Sequence, residues 1–356
     1  MSEQKASATS AMTGMVTPGR AEVGQMPARP RAETGWTAAA ARATREAELH
    51  AAYSPVTLRE RGLYREAARR FFRNRLAIVG LFFVVVLTVM AVFADDWFIA
   101  LPLGRAPRPL IARTSYEKIF FGPVGAFPSL KYWMGTDLNG RDFFSRIVYG
   151  ARISLSIGIL AQLIALLIGI PLGAAAGWKG GRVDFLVMRL VDIMSAIPTL
   201  LFAYLIMARL GAGYWNVMLA IGLTSWISVC RLTRAQFLAL REKEFVEASR
   251  MIGAGSWRII RFHLLPNAMA PIIVSLTLGI PTAIFAEASL SFLGVGINPP
   301  MPSWGQMLGR DGVTNMTYYW HLAFFPAMMI AITMLGFTLM GDGLRDALDP
   351  RMIGEK

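Results

Sequence analysis

Leu76–Ala94 reads LAIVGLFFVVVLTVMAVFA, a stretch with no charged residue. Coiled as an α-helix it is close to the ~30 Å thickness of a bilayer hydrocarbon core, which needs roughly 20 apolar residues. Working outward, the same kind of run recurs. Ile153–Gly177 and Gly213–Cys230 are uncharged, as is His321–Gly341; Leu190–Ala208 carries one charge, Asp192, and Ala268–Leu293 carries one, Glu287. Buried helices of a soluble core have apolar runs nearer 10–14 residues. The expectation is an all-α polytopic membrane protein with six transmembrane helices.

Composition agrees. The 356 residues are 54% hydrophobic and only 17% charged, where soluble domains carry about 25% charged residues. The single cysteine, Cys230, excludes a disulfide framework and a cysteine-based zinc site, and His50, His263 and His321 are too far apart in sequence for a histidine metal motif. The formal charge of +13 suits cationic cytoplasmic loops as well as nucleic acid, and the distribution of the apolar runs selects the membrane.

Lysine and arginine near span ends set orientation. They crowd the stretch before Leu76, the loop 231–267 and the segment after Gly341, whereas the alternate short loops hold only Arg209 and Arg310. Both termini and the 231–267 loop are therefore expected in the cytoplasm. Asp95–Arg152 resists the rule, being basic yet external.

These readings divide the chain. Residues 1–56, polar and without an apolar run, are expected to form a disordered cytoplasmic tail. Residues 57–75 carry aromatic and small residues on one face among arginines, the pattern of an interfacial amphipathic helix; a solvated helix continuous with the first span fits equally. Residues 76–94 are the first span, 95–150 an external segment, 151–341 a transmembrane core and 342–356 a cytoplasmic C-terminus. Trp304, Tyr318, Tyr319 and Trp320 are expected at the outer membrane–water interface.

No GxxxxGK[ST] phosphate loop, nucleophile elbow, zinc-binding helix or dinucleotide fingerprint occurs. Few ionisable groups lie within the spans, where an ion-driven carrier usually needs several. Glu287, six residues after Pro281, is costly if it faces lipid, so it is expected to face protein or an aqueous path. It either meets the cationic end of a solute or bonds a neighbouring subunit.

The loop from Arg231 reads RLTRAQFLALREKEFVEASRMIGAGSWRIIRFHLLPNAMAP. Thr233–Ile252 is helix-compatible, Gly253 and Gly255 break it, and Trp257–His263 can form a second short helix before Pro266. Phe245, Ala248 and Ile252 share a face. On the residues alone an amphipathic connector on the bilayer surface is the plainer reading, with a docking element the alternative.

Glu247-Ala248-Ser249, then Gly253, then His263-Leu264-Leu265-Pro266 resembles the EAA motif of ABC importer permeases, with Ser249 in place of the second alanine and His263 in place of an isoleucine. Arg70–Leu81, the Gly135-Thr136-Asp137 and Gly140-Arg141-Asp142 pair, Pro302-Ser303-Trp304-Gly305 and the segment Gly341–Arg351 look like the C-type membrane subunit of oligopeptide, dipeptide and nickel permeases. The resemblance covers residues 65–351. It implies a permease core of five helices plus one peripheral N-terminal helix in the bacterial cytoplasmic (inner) membrane, without chemistry of its own. Glu247, Ala248, Ser249, Gly253, His263, Leu265 and Pro266 would form an ATPase-coupling loop. The implied partners are a second permease, two ATP-binding subunits that hold ATP and magnesium, and an external solute-binding protein; no cofactor or metal is implied on this chain. A stand-alone secondary carrier, a membrane-embedded enzyme or a membrane scaffold are the rival classes, and co-purification with ATPase subunits separates them.

Overall fold

The computed structural model describes residues 63–349; the expected tail at 1–56, the start of the 57–75 helix and the last seven residues lie outside them. The described chain is helical, with only isolated β-bridges such as Thr136–Asp142. A short helix α1 (Leu63–Phe71) is followed by α2 (Arg75–Val92). The two are separate because the Asn74 side chain accepts hydrogen bonds from the amides of Leu76 and Ala77 and caps α2, so residues 57–75 do not form one helix. A single-turn helix α3 (Trp97–Ala100) opens the external segment.

The helix α4 (Phe143–Lys179) runs 37 residues, starting eight residues ahead of the expected core boundary. The Gly135–Asp142 turn explains that start. Gly135 and Gly140 both take positive φ, a conformation glycine adopts cheaply. Asp137 Oδ1 accepts from the amides of Asn139 and Arg141 at 2.8 Å each, and Asp142 caps the helix by accepting from the Ser145 amide at 3.0 Å.

The third expected span, Leu190–Ala208, is broken. Helices α5 (Gly181–Ala196) and α6 (Thr199–Leu210) meet at 83°. Pro198 disfavours helical geometry in the residue before it, and Ile197 is extended at φ −89°, ψ 122°. Helix α7 (Tyr214–Leu240) packs parallel to α4: the Tyr214 hydroxyl donates to Ser156 in the first half of α4, and Gly177 near the end of α4 lies against Phe237 and Arg234. Two parallel neighbours require the chain between them to return, which argues that α5 and α6 together make one broken span.

A surface helix α8 (Glu244–Met251) leads into α9 (Ser256–Phe292), a continuous run containing a π turn at Ile260–Leu264. A short helix α10 (Trp304–Gln306) with a π segment (Met307–Val313) forms an outer hairpin, and α11 (Trp320–Leu348) closes the fold. Five helices, α2, α4, α7, α9 and α11, are each long and apolar enough to cross a membrane. Helix α2 lies antiparallel on α11, with Gly80 against the Gly336 and Met340 backbone and Gly343 against Ala77. The start of α2 and the end of α11 thus lie on the same face.

Glycines bring the core helices together. Gly169, Gly173 and Gly177 form one stripe of α4 facing α7, and a Cβ at Gly173 would stand 2.5 Å from the Cys230 carbonyl oxygen. Small residues at this spacing let membrane helices approach closely. The apolar core divides into an outer part around Phe143, Ile147, Ile284 and Trp304 and an inner part around Phe237, Val246, Ile259 and Leu264.

Candidate coupling surface and outer network

The loop between α7 and α9 departs from the expected pair of short helices. Helix α7 stops at Leu240, and α8 begins only at Glu244. Gly253 ends the second helix at φ +81°. From Ser256 the chain is already part of α9, so the expected second short helix is the inner extension of the fifth span. Pro266 lies two residues after the end of the π turn, where the Leu265 amide donates to the Ile260 carbonyl. Proline offers no amide and crowds the carbonyl four residues back; the widened turn gives its ring room.

Helix α8 has two faces. Val246, in the inner apolar cluster, and Ser249 are buried, while Glu244, Phe245, Glu247, Ala248, Met251 and Ile252 point outward. Met251 is 88% exposed and Ile252 85%, although an α-helix end with two such side chains would gain by covering them. Ser249 satisfies its own hydroxyl by donating to the Phe245 carbonyl at 2.7 Å, so a serine fits the buried position at no cost in unpaired polar groups. The half-buried ring of His263 lies 6.4 Å from the Phe245 ring. Leu265 is partly buried and Pro266 exposed. Glu247 has no ion pair among the described residues. Two nearby arginines are engaged elsewhere: Arg241 donates to the Gly177 carbonyl at 3.2 Å, and Arg250 lies over the Trp178 ring at 4.9 Å.

Glu287 faces protein, one of the two surroundings expected of it, with its partners inside its own chain. It is fully buried inside its own chain, facing neither an aqueous path nor a free subunit surface. Ser154 of α4 donates to its carboxylate at 3.0 Å and Ser291 at 2.8 Å, and Ser303 adds a third hydrogen bond. Two of these hydroxyls also accept, Ser291 from the Ile297 amide and Ser303 from the Gln306 amide. The carboxyl group thus ties α4, α9 and the outer hairpin together, both of its oxygens accepting from serine hydroxyls. Trp304, expected at the interface, is also fully buried and donates its indole N–H to the Ile147 carbonyl at 3.1 Å. Tyr318 and Trp320 remain exposed.

Arg152 was missed as a site residue. It donates to the Ala91 carbonyl at 2.8 Å, capping the outer end of α2, and pairs with Asp95 at 2.9 Å. Other arginines of the external segment are likewise matched: Arg105 with Asp96, Arg113 with Asp142, and Arg141 and Arg146 with Asp137. The Arg105 guanidinium, with the Arg108 amide, holds the Asp96 carboxyl below the usual carboxylate range. No group of three or more potential metal ligands occurs among the described residues.

A bundle of long apolar helices with a short, half-buried helix on one surface defines a polytopic membrane protein. Comparison with known proteins gives the class its family. The chain belongs to the binding-protein-dependent transport system inner membrane components, whose family model matches residues 169–354, and the model of the N-terminal TM domain of oligopeptide transport permease C matches residues 62–121. It is 43% identical over 298 residues to the oligopeptide transport system permease protein OppC of Bacillus subtilis, covering 83% of this chain and 92% of that one. The dipeptide permease DppC of the same organism is 43% identical, covering 81% of this chain and 85% of its own length. A glutathione transport system permease GsiD of Escherichia coli is 40% identical, covering 82% and 91%. The chain is a translocation-path subunit of an ABC importer, multi-pass in the bacterial inner membrane. Its relatives are transport permeases, not enzymes.

Proposed function

We propose that this chain is one of two permeases in an importer for peptides or related small solutes, and that α8 couples it to ATP-hydrolysing subunits in the cytoplasm. The observation that carries the reading is the division of α8: Val246 and Ser249 anchor it, while Met251 and Ile252 stand almost fully exposed beside Glu247. An apolar tip rimmed by charge suits a protein groove better than a lipid surface, because the two carboxylates Glu244 and Glu247 on the same outward face are repelled by anionic headgroups. The partners would be a second permease, two ATPase subunits carrying ATP and magnesium, and an external solute-binding protein that supplies the solute. ATP would close the ATPase pair, and movement of the docked helices would bias the permeases between inward- and outward-facing states.

Peptide as the solute class rests on the similarity to oligopeptide and dipeptide permeases. The test of coupling is a cysteine at Glu247 in the assembled complex. Cross-linking to an ATPase subunit is the expected result, whereas cross-links confined to this chain would favour a connector lying on the bilayer.

A further inference from the structure

We propose that Arg250 in α8 and Arg241, at the end of α7 just before it, are positioning residues that lock α8 to the inner end of α4, so that the docking helix and this 37-residue membrane helix move as one body. The proposal rests on the ATPase-docking reading of α8 and adds the route by which its movement enters the membrane.

Three observations carry it. Arg241 donates to the Gly177 carbonyl at 3.2 Å, one of the last four carbonyls of α4, which lack partners within their own helix. A cation there also meets the negative end of the helix dipole. Arg250, in the last turn of α8, places its guanidinium 4.9 Å from the centre of the Trp178 ring, one residue further along α4. The two contacts therefore grip adjacent residues of α4, one from just before α8 and one from its last turn. Val246 sits in an apolar cluster drawn from α4, α7 and α9, so its apolar contacts do not choose which membrane helix follows α8. The arginines do.

Helix α4 is suited to carry such a movement. The glycine stripe seats it against α7. At its outer end it accepts the Trp304 hydrogen bond from the outer hairpin and supplies Ser154 to Glu287. A displacement at Trp178 thus reaches the outer hairpin through one helix.

The experiment uses the assembled complex in lipid nanodiscs and liposomes with Arg250→Gln, Arg250→Lys, Trp178→Leu and the double variant Arg250→Gln/Trp178→Leu. Loss of a partly exposed cation–π contact corresponds to about a two- to five-fold effect. Solute uptake driven by the binding protein should fall by that factor in Arg250→Gln and in Trp178→Leu. The double variant should be no worse than the poorer single variant, because both changes break one contact, and Arg250→Lys, which keeps a cation over the ring, should recover at least half the loss. Multiplying defects in the double variant, or ATPase subunits lost from the Arg250→Gln complex, would overturn the clamp by showing that Arg250 acts elsewhere. Cross-linking from Glu247→Cys is read in the same preparations. Its absence in the otherwise unaltered chain overturns both readings; its presence with normal uptake in Arg250→Gln and Trp178→Leu overturns the clamp alone.

Discussion

At the scale of single residues, the structure separates a strained position from a stapling one. Gly253 has φ +81° and open space around the place a Cβ would occupy. The cost of a side chain there is conformational, about 1–2 kcal/mol for a residue that does not favour left-handed geometry, rather than a clash. Gly253→Val should lower solute-stimulated ATP hydrolysis of the complex, and Gly253→Asn, which tolerates this region, should retain most of it. Equal losses in both would mean that size, not backbone geometry, matters at the turn. Glu287 behaves differently. Glu287→Gln keeps a carbonyl for Ser291 and Ser303, while Ser154, whose hydroxyl can rotate, can accept from the new amide; uptake and assembly should stay near the unaltered level. Glu287→Leu strands buried serine hydroxyls at about 1–3 kcal/mol each, so the purified complex should unfold at lower temperature. A transport defect in Glu287→Gln with normal thermal stability would return this residue to the solute path.

At the scale of elements, the five long helices were legible in sequence because each is an uninterrupted apolar run, and the docking loop was legible because its residues resemble a known motif. What sequence reading lost were breaks and contacts. The Ile197–Pro198 bend sits within an apolar run, so hydropathy passes over it, although the proline itself was the signal. The stop at Leu240 has no glycine or proline to mark it. Glu287 was expected to face protein or an aqueous path, and the choice was not legible because a sequence does not show that Ser154, more than a hundred residues earlier, completes its hydrogen bonds. The stripe Gly169, Gly173, Gly177 was readable from its four-residue spacing and predicts how α4 meets α7. Gly173→Ala places a methyl 2.5 Å from the Cys230 carbonyl oxygen, and overpacking of this kind costs about 1–3 kcal/mol. The yield of folded, monodisperse complex should drop. Gly255→Ala is the control: its φ is −66° and nothing lies within 4 Å of the added methyl, so yield should be unchanged.

At the scale of the molecule, the number of crossings and the orientation are one question. Residue 130 lies before α4, and residue 252 lies just after α8; the chain between them contains α4, the bent pair α5–α6, and α7. Three crossings put the two positions on opposite sides of the membrane. If the bent pair only dipped into one surface, there would be two crossings and the positions would share a side. The parallel packing of α4 and α7 argues for three, and the charge pattern argues that residue 252 is cytoplasmic. The basic external segment does not weigh against this, since five of its arginines are held by aspartates of the same segment. The chain is ready for the test: its one cysteine, Cys230, is buried, and Leu130 and Ile252 are 100% and 85% exposed. A membrane-impermeant maleimide should label Leu130→Cys in intact cells and Ile252→Cys only after the membrane is opened. Labelling of both from outside would mean that α5 and α6 do not cross, and labelling of Ile252→Cys alone would invert the protein, placing its docking helix on the side where no ATP is available to drive it.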